Sequence, residues 1–167
     1  MRQSFHKNTP LTVRRRRGAF LHIIYIFKIF FGKNGESRPQ LKVFYNEVKM
    51  VYILNDDYIP QMQWVRWLHN VNNERLDIRN IVCDEESKNY ILEDLYSILS
   101  ARENALIASK EMTFNEQYVV FVTDASSIST HPVSKYIKEC SSYGFTFVFF
   151  EEYEEMLPQG CTEIIRI

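Results

Sequence analysis

The stretch YVVFVTDASSI, residues 118–128, begins as an apolar run of β-forming residues and turns polar at Asp124. A second apolar run, FTFVFF at 145–150, follows a segment with Pro132 near its start and Gly144 at its end. Uninterrupted apolar runs are typical of strands buried on both faces of a parallel sheet. Pro favours the first turn of a helix and Gly its left-handed C-terminal cap, so the intervening segment is predicted to be helical. Together these segments predict a right-handed βαβ unit.

The same pattern extends along the chain in both directions. VKMVYIL (48–54) predicts another buried strand, IRNIVC (78–83) a shorter one and TEIIRI (162–167) a final one. Apolar residues recur at helical spacing over 64–71 and again after Asp84, which can cap the second of these helices. The chain is therefore predicted to be an α/β protein, with a mostly parallel sheet of about four to five strands and helices on both faces. The residues expected in the core are Val51, Val119, Phe121, Phe147 and Val148.

Charge divides the chain into two parts. Residues 1–50 contain eleven Lys and Arg against two Asp and Glu, whereas residues 51–167 contain nine against nineteen. The stretch FFGKNGESRP (30–39) has the Gly, Asn, Ser and Pro content of a linker. We therefore predict a basic, partly apolar N-terminal segment over 1–36, and one α/β domain over 37–167.

The N-terminal segment has a composition that suggests contact with a membrane surface. A basic run, Arg14 to Arg17, precedes the apolar stretch GAFLHIIYIFKIFFG. That stretch is interrupted by Lys28 and is shorter than the about 20 apolar residues that a transmembrane helix needs. Residues 18–31 are predicted to form a helix that does not cross a bilayer by itself, so membrane contact through 14–31 is expected to be peripheral. The alternative is a helix docked on the remaining domain, or a mobile tail.

Asp124 is the first candidate for a chemical role, because ligands of such sheets bind beyond the carboxyl ends of the strands. An enzyme that handles triphosphates also needs a Gly-rich loop, a lysine and a metal-binding hydroxyl, written GxxxxGK[ST], and no such run occurs in the sequence. Ala125 stands where an ATPase would usually place a glutamate. We therefore interpret Asp124 as a strand-end residue that caps a turn or the following helix, and predict no catalytic residue and no bound cofactor.

The residues that favour metal ions are scattered. Cys83, Cys140 and Cys161 form no CxxC pair, which argues against a zinc site or a disulfide framework. The acidic run EEYEE (151–155) is linear, whereas hard cations need several converging oxygens, so a solvated turn is the preferred interpretation. No metal site is predicted.

Aromatic residues and histidines offer a second set of candidates. Trp64 and Trp67 could stack on nucleic-acid bases, but an acidic domain repels a phosphate backbone, so they are expected to pack as core. His131 has no partner at the spacing of a catalytic triad. It precedes Pro132 in a helix for which Ser129 or Thr130 is the predicted cap. No nucleic-acid partner is predicted.

Three segments resemble a known family. These are WVRWLHNV (64–71), the unit YVVFVTDASSISTHPVSKYIKECSSYGFTFVFF (118–150) and the ending LPQGCTEIIRI (157–167). They resemble one region of the FtsK/SpoIIIE-type ATPase of bacterial type VII secretion, the EssC/YukB family. That region is the first ATPase-like domain of the family, which is degenerate and precedes the domains with intact nucleotide motifs. The resemblance covers about residues 37–167 and implies that they form a degenerate ATPase-like domain. The family usually reads RWLPHVW where this chain has Arg66, Trp67 and Leu68 followed by HNVN. Residues 1–36 do not resemble the family's membrane anchor, and no active ATPase domain follows in the sequence. The chain therefore resembles a fragment or a truncated relative of the family.

The resemblance implies a non-catalytic module in which Asp124 is a vestigial carboxylate. Such a module is expected to act in protein export by docking on other domains or subunits of the type VII secretion ATPase complex. Its expected location is the cytoplasm, at the inner face of the cell membrane. The candidate interaction residues are Trp64, Arg66, Trp67 and His131. Two alternatives stay open: a metal-dependent nucleotide-hydrolysing enzyme that uses Asp124, and a membrane-surface protein that binds through its basic N-terminal segment.

Overall fold

A computed structural model describes residues 11–14, 48–82, 84–109, 112–161 and 163–165. The predicted helix of 18–31, most of the basic run before it and Cys83 lie outside the described residues. The strands are β1 Leu11–Arg14, β2 Val48–Ile53, β3 Asn72–Asn73, β4 Ile78–Arg79, β5 Gln117–Val122, β6 Phe145–Glu151 and β7 Glu163–Ile165.

Five of these strands form one parallel sheet in the order β2-β5-β6-β1-β7. Val120, in the centre of β5, is paired with Val51 of β2 and with Phe147 of β6. Strands β2, β5 and β6 are largely apolar because the sheet is covered on both faces. The predicted α/β class and the parallel sheet are confirmed.

The strand β1 was not predicted from the sequence. Its backbone pairs in parallel with β6 on one side and with β7 on the other, so Leu11–Arg14 lie inside the sheet. The sequence LTVR is too short and too close to a basic run to stand out as a buried strand. The predicted division of the chain at residues 36 and 37 stays a prediction.

The α-helices are α1 Glu85–Ala108 and α2 Ala125–Ser129, and the 3-10 helices are Pro60–Trp67, His69–Val71, Pro132–Tyr143 and Glu154–Met156. In the described part of the chain, no helix has both the length and the apolar composition that crossing a bilayer requires. Helix α1 begins after Asp84, as predicted, and Gly144 ends the last long helical segment with φ of 71°. A Cβ at Gly144 would lie 2.9 Å from Nη1 of Arg102, so the left-handed turn and the space both favour glycine there.

Two apolar clusters cover the two faces of the sheet. The first face packs against α1, α2 and the helix Pro132–Tyr143, and the second against the segment around Pro60–Trp67. Val51 and Phe147 are buried on the first face, while Val119, Phe121 and Val148 are buried on the second. The predicted core is confirmed. Phe147 is 0% exposed. Moving its large apolar side chain from water into the core stabilises the fold by about 2–3 kcal/mol.

The segment 64–71 differs from its prediction. The expected single α-helix is a 3-10 helix that stops at Trp67, because Leu68 has the extended angles φ −74° and ψ 132°. Met62 and Val65 are buried and Leu68 is half-buried on the second face, at a spacing of three that fits the three residues per turn of a 3-10 helix. Trp67 is 77% exposed, so the expectation that it packs as core was wrong.

Two further predictions are corrected. Only Ile78–Arg79 of the predicted strand 78–83 forms a strand, antiparallel to β3, and Ile81 makes a single parallel bridge to Tyr52. His131, rather than Ser129 or Thr130, caps the helix that begins at Pro132, since its Nδ1 accepts the N–H of Val133 at 3.3 Å. The two hydroxyl residues end α2 instead and donate back to backbone carbonyls of that helix.

Candidate functional site

The carboxyl edge of the sheet, where β2, β5 and β6 end, is the first place to look for a ligand. It consists of Asn55, Thr123, Asp124 and Glu151. The hydroxyl of Thr123 accepts the backbone N–H of Asn55 at 2.9 Å, and the Asn55 side-chain amide donates to the Thr123 carbonyl at 3.4 Å. These bonds hold two strand ends together and set the position of Asp124, the next residue.

Asp124 is the N-terminal cap of α2. Its carboxylate accepts the backbone N–H of Ser127 at 3.4 Å and hydrogen bonds from the hydroxyls of Ser126 and Ser127. Partial burial works to raise the pKa of Asp124, but these hydrogen bonds outweigh it and hold the pKa below its ordinary value. The predicted role of Asp124 as a helix cap is therefore confirmed, and its carboxylate is ionised at neutral pH.

A second carboxylate, Glu151, lies at the same edge. From the sequence it was predicted to be part of a solvated turn. It is the last residue of β6, and its Oε1 accepts the backbone N–H of Ala125 at 3.1 Å. Burial raises the pKa of Glu151, and the neighbouring charge of Asp124 raises it further. The signal was available, since the carboxyl ends of neighbouring parallel strands meet, and Glu151 follows FTFVFF as Asp124 follows YVVFVT.

The N-terminus of α1 is also closed by its own residues. Asp84 accepts the N–H of Ser87 at 2.7 Å, and the Ser87 hydroxyl accepts the N–H of Asp84 at 3.1 Å, which makes a capping box. Hydrogen bonds from the Ser87 backbone and side chain lower the pKa of Asp84. Glu85 and Glu86 add negative charge to the first turn, which stabilises the helix dipole.

The carboxylates of this edge do not assemble into a metal site. Across the described residues, no group of three or more His, Cys, Asp and Glu side chains is placed to hold a metal ion. Asp124 and Glu151 are instead directed at backbone N–H groups of the helix that begins at Ala125. The two carboxylates are therefore placed to cap the helix.

Trp64, Arg66 and Trp67 form a surface on the 3-10 helix that covers the second face of the sheet, which we call the tryptophan surface. The indole of Trp64 is half-buried against the second apolar cluster. The indole of Trp67 is exposed, and the guanidinium carbon of Arg66 lies 5.3 Å from its ring centroid. A large exposed aromatic ring with a stacked arginine is the side-chain combination that protein interfaces favour.

His131 lies apart from the tryptophan surface, on the first face of the sheet. Its Nδ1 is engaged by Val133, so the other ring nitrogen, Nε2, is directed at Oε1 of Glu93 on α1, at 3.4 Å. Its ring also meets Tyr96 edge-on, with centroids 6.3 Å apart. The structure thus brings Trp64, Arg66 and Trp67 together on one surface. It places His131 on the other face of the sheet, where His131 links α1 to the helix Pro132–Tyr143.

Type VII secretion proteins are among the known proteins that this chain resembles. The type VII secretion system protein EssC of Staphylococcus aureus, strains MSSA476 and NCTC 8325, is 28% identical over 135 residues. The match covers 77% of this chain and 9% of EssC, so the chain spans about a tenth of the length of these relatives. No protein-family model matches the chain.

A solved structure has a similar fold. The chain superposes on EssC (ATPases 2 and 3) from Geobacillus thermodenitrificans with a TM-score of 0.56 and 9% identity, over 89% of this chain and 29% of that one. At this identity the superposition shows the fold alone. The chain is thus similar in sequence to the type VII secretion protein EssC over 77% of its length, and it has the α/β fold of the EssC ATPase domains.

Proposed function

We propose that this chain is a non-catalytic ATPase-like module of a type VII secretion ATPase, which acts in protein export by docking on neighbouring ATPase domains or subunits. One observation carries the non-catalytic part of the proposal. The N–H groups of Ala125 and Ser127, at the start of the helix after β5, already donate to Glu151 and Asp124.

A triphosphate needs those N–H groups for itself. Nucleotide-binding sheets hold phosphate with free backbone N–H groups at a helix N-terminus, a lysine and a magnesium ion. At this helix two carboxylates take the place of phosphate, and their negative charge would repel one. The start of α1 is closed in the same way by Asp84. After β2, Asp56 and Asp57 are exposed and acidic, and Pro60 has no N–H to donate.

The docking part of the proposal depends on the tryptophan surface. An indole that is 77% exposed costs free energy in water, and burying it against a partner recovers that cost. The chain spans a small part of EssC, so domains of the same ATPase are the partners that would lie nearest to it. In this proposal the module works on the cytoplasmic side of the membrane, and residues 14–31 give at most a peripheral membrane contact.

The absence of nucleotide chemistry can be tested by titrating the full chain with ATP and magnesium in a calorimeter, alongside a phosphate-release assay. We expect no dissociation constant in the low micromolar range and no turnover. Turnover that is lost in Asp124→Ala but kept in Asp56→Ala would contradict the non-catalytic proposal and favour the metal-dependent enzyme.

Docking can be tested with the EssC-type ATPase encoded in the same genome. The full chain is immobilised, and binding of the purified ATPase domains is measured by biolayer interferometry. We expect Trp67→Ala to weaken binding by tenfold or more, as for an aromatic anchor residue. The control is Tyr153→Ala, which removes another exposed aromatic side chain, 53% exposed, outside the tryptophan surface. Equal binding by both variants and the unchanged chain would exclude this surface as the docking site.

A further inference from the structure

A cavity lies at the opposite, amino edge of the sheet. It has a volume of about 530 Å³, which is in the usual range for small-molecule sites. It lies between the starts of β2 and β5, the β3–β4 hairpin and the second half of α1. Its lining includes Lys49, Asn73, Asn80, Ile98, Arg102 and Phe114. We call it the amino-edge cavity.

Two buried asparagines form the polar wall of this cavity. Asn73 uses its whole side chain: its amide nitrogen donates to Asn80 at 3.0 Å and to Asp94 at 2.9 Å, and its oxygen accepts the N–H of Leu76 at 3.2 Å. Asn80 is only 4% exposed, and its oxygen is taken by Asn73. The amide nitrogen is therefore the group that Asn80 offers to the cavity, and no described residue accepts a hydrogen bond from it.

Asn80 lines the cavity, so an oxygen-bearing ligand there could accept a hydrogen bond from its amide nitrogen. Lys49 also lines the cavity, and its positive charge favours a negatively charged ligand. Its ammonium forms no ion pair within the part of the chain that the structure describes. Both groups seek an acceptor, and an anion provides one for each.

Two carboxylates, Glu74 and Glu116, also line the cavity and oppose the binding of an anion to different extents. Glu116 is engaged, since it accepts from the Tyr118 hydroxyl at 2.7 Å and lies 3.8 Å from the Arg102 guanidinium. Glu74 is exposed, where water screens its charge. Arg75 also lines the cavity and is paired with Asp94. The lining residues carry three cations against two carboxylates.

An apolar wall stands beside these polar groups. It consists of Ile98 and Ala101 from α1 and the ring of Phe114, which packs 4.7 Å from the Arg102 guanidinium. Arg102 is held in place by hydrogen bonds to the carbonyls of Tyr143 at 2.6 Å and Glu116 at 2.9 Å. The cavity thus joins a preorganised apolar surface to two donors for which the described residues provide no acceptor.

From this geometry we infer that the amino-edge cavity binds a small organic anion. Its carboxylate or phosphate oxygens accept from Asn80 and Lys49, and its apolar body lies against Ile98 and Phe114. The site is on the other edge of the sheet from Asp124, and it is independent of the proposed docking function.

The test is a titration of the uniformly ¹⁵N-labelled full chain, followed by NMR. Phenyl phosphate is the probe, because it combines the anion with an apolar ring. Benzyl alcohol has the ring without the charge. Benzoate replaces the phosphate by a carboxylate, and inorganic phosphate has the anion without the apolar ring. We expect saturable shifts at residues 49, 80, 98 and 114 with phenyl phosphate or benzoate, and weaker binding of inorganic phosphate.

Matched variants assign the binding to the cavity. Lys49→Gln is expected to weaken the anion about tenfold, whereas Lys138→Gln removes an exposed cation elsewhere and should leave the affinity unchanged. Asn80→Asp replaces the donor by an acceptor of the same shape and should abolish binding, with the NMR spectrum reporting whether the variant is folded. The inference is overturned by the absence of saturable shifts, by equal binding of benzyl alcohol, or by equal effects of the two lysine variants. Binding that is sensitive to Asp124→Ala and insensitive to Lys49→Gln would also overturn it, by placing the anion at the carboxyl edge.

Discussion

At the carboxyl edge of the sheet, the N–H groups of Ala125 and Ser127 donate to Glu151 and Asp124. At the amino edge, the amide nitrogen of Asn80 and the ammonium of Lys49 find no acceptor among the described residues. The edge that usually binds the ligand in α/β proteins is therefore closed by the protein's own carboxylates, and the edge that is usually structural has unused donors. The comparison teaches that a fold's usual binding edge should be judged by whether its donors are free.

The sheet that separates the two edges should be the most sensitive to mutation. Phe147→Ala removes a fully buried ring from the first face, and we expect it to lower the free energy of unfolding by about 3–5 kcal/mol. Urea denaturation followed by circular dichroism measures this. Met156→Ala, which truncates an exposed side chain, is the control and should change stability by less than about 0.5 kcal/mol. A loss under about 1 kcal/mol at Phe147 would mean that the ring is not in the core.

The amino edge should lose stability when its arginine is removed. Arg102→Met keeps the apolar stem but leaves the carbonyls of Tyr143 and Glu116 without their donor, at an expected cost of about 1.5–3 kcal/mol. Asn104→Ala, an exposed change two residues along the same helix, serves as the control in the same denaturation experiment. If both variants were equally stable, Arg102 would not be holding the cavity wall in place.

The carboxyl edge should lose less, because its cap is partly exposed. Asp124→Ala is expected to cost about 1 kcal/mol at pH 7, as for other helix caps, and Asp124→Asn less. The pKa of Asp124 is lowered on folding, so its ionised form contributes stability above the ordinary pKa of about 3.9, and this contribution is lost as the pH falls through the folded-state pKa. The stability difference between the unchanged chain and Asp124→Asn should therefore shrink between about pH 5 and pH 2. A difference that is constant with pH would contradict the lowered pKa.

The smallest effect is expected at Glu151, and its sign is opposite. Because the folded-state pKa is raised, the unchanged chain loses stability as the pH rises from the ordinary pKa through the folded-state value. Glu151→Gln cannot ionise, yet its side-chain oxygen can still accept the N–H of Ala125. We expect the variant to gain less than about 0.5 kcal/mol on the unchanged chain between about pH 4 and pH 7. Carboxyl ¹³C NMR provides a direct check, since Asp124→Asn should lower the pKa of Glu151.

Strands β2, β5 and β6 were predictable because they are largely apolar runs, whereas β1 was not. The cap role of Asp124 was predictable because acidic residues favour the position before a helix. The course of 60–71 was not. Its apolar residues fit both a period of 3.6 and a period of three, and the chain adopts the 3-10 period, which buries Met62 and Val65 and leaves Trp67 exposed. The amino-edge cavity was also out of reach, because Lys49, Asn80 and Phe114 are brought together by tertiary packing and share no local motif.

The position of β1 has a consequence for the order in which the chain folds. Leu11–Arg14 are synthesised before the other strands of the sheet, whereas their neighbours in it, β6 and β7, follow about 130 residues or more later. Strands β2, β5 and β6 can pair with one another before β7 exists, whereas β7 sits at the end of the sheet and joins it through β1. Closing so long a loop is slow, so this half of the sheet is expected to assemble last, after synthesis of the core is complete. Until then the free edge of β6 is open to other strands, which makes the nascent chain most vulnerable to aggregation at that stage.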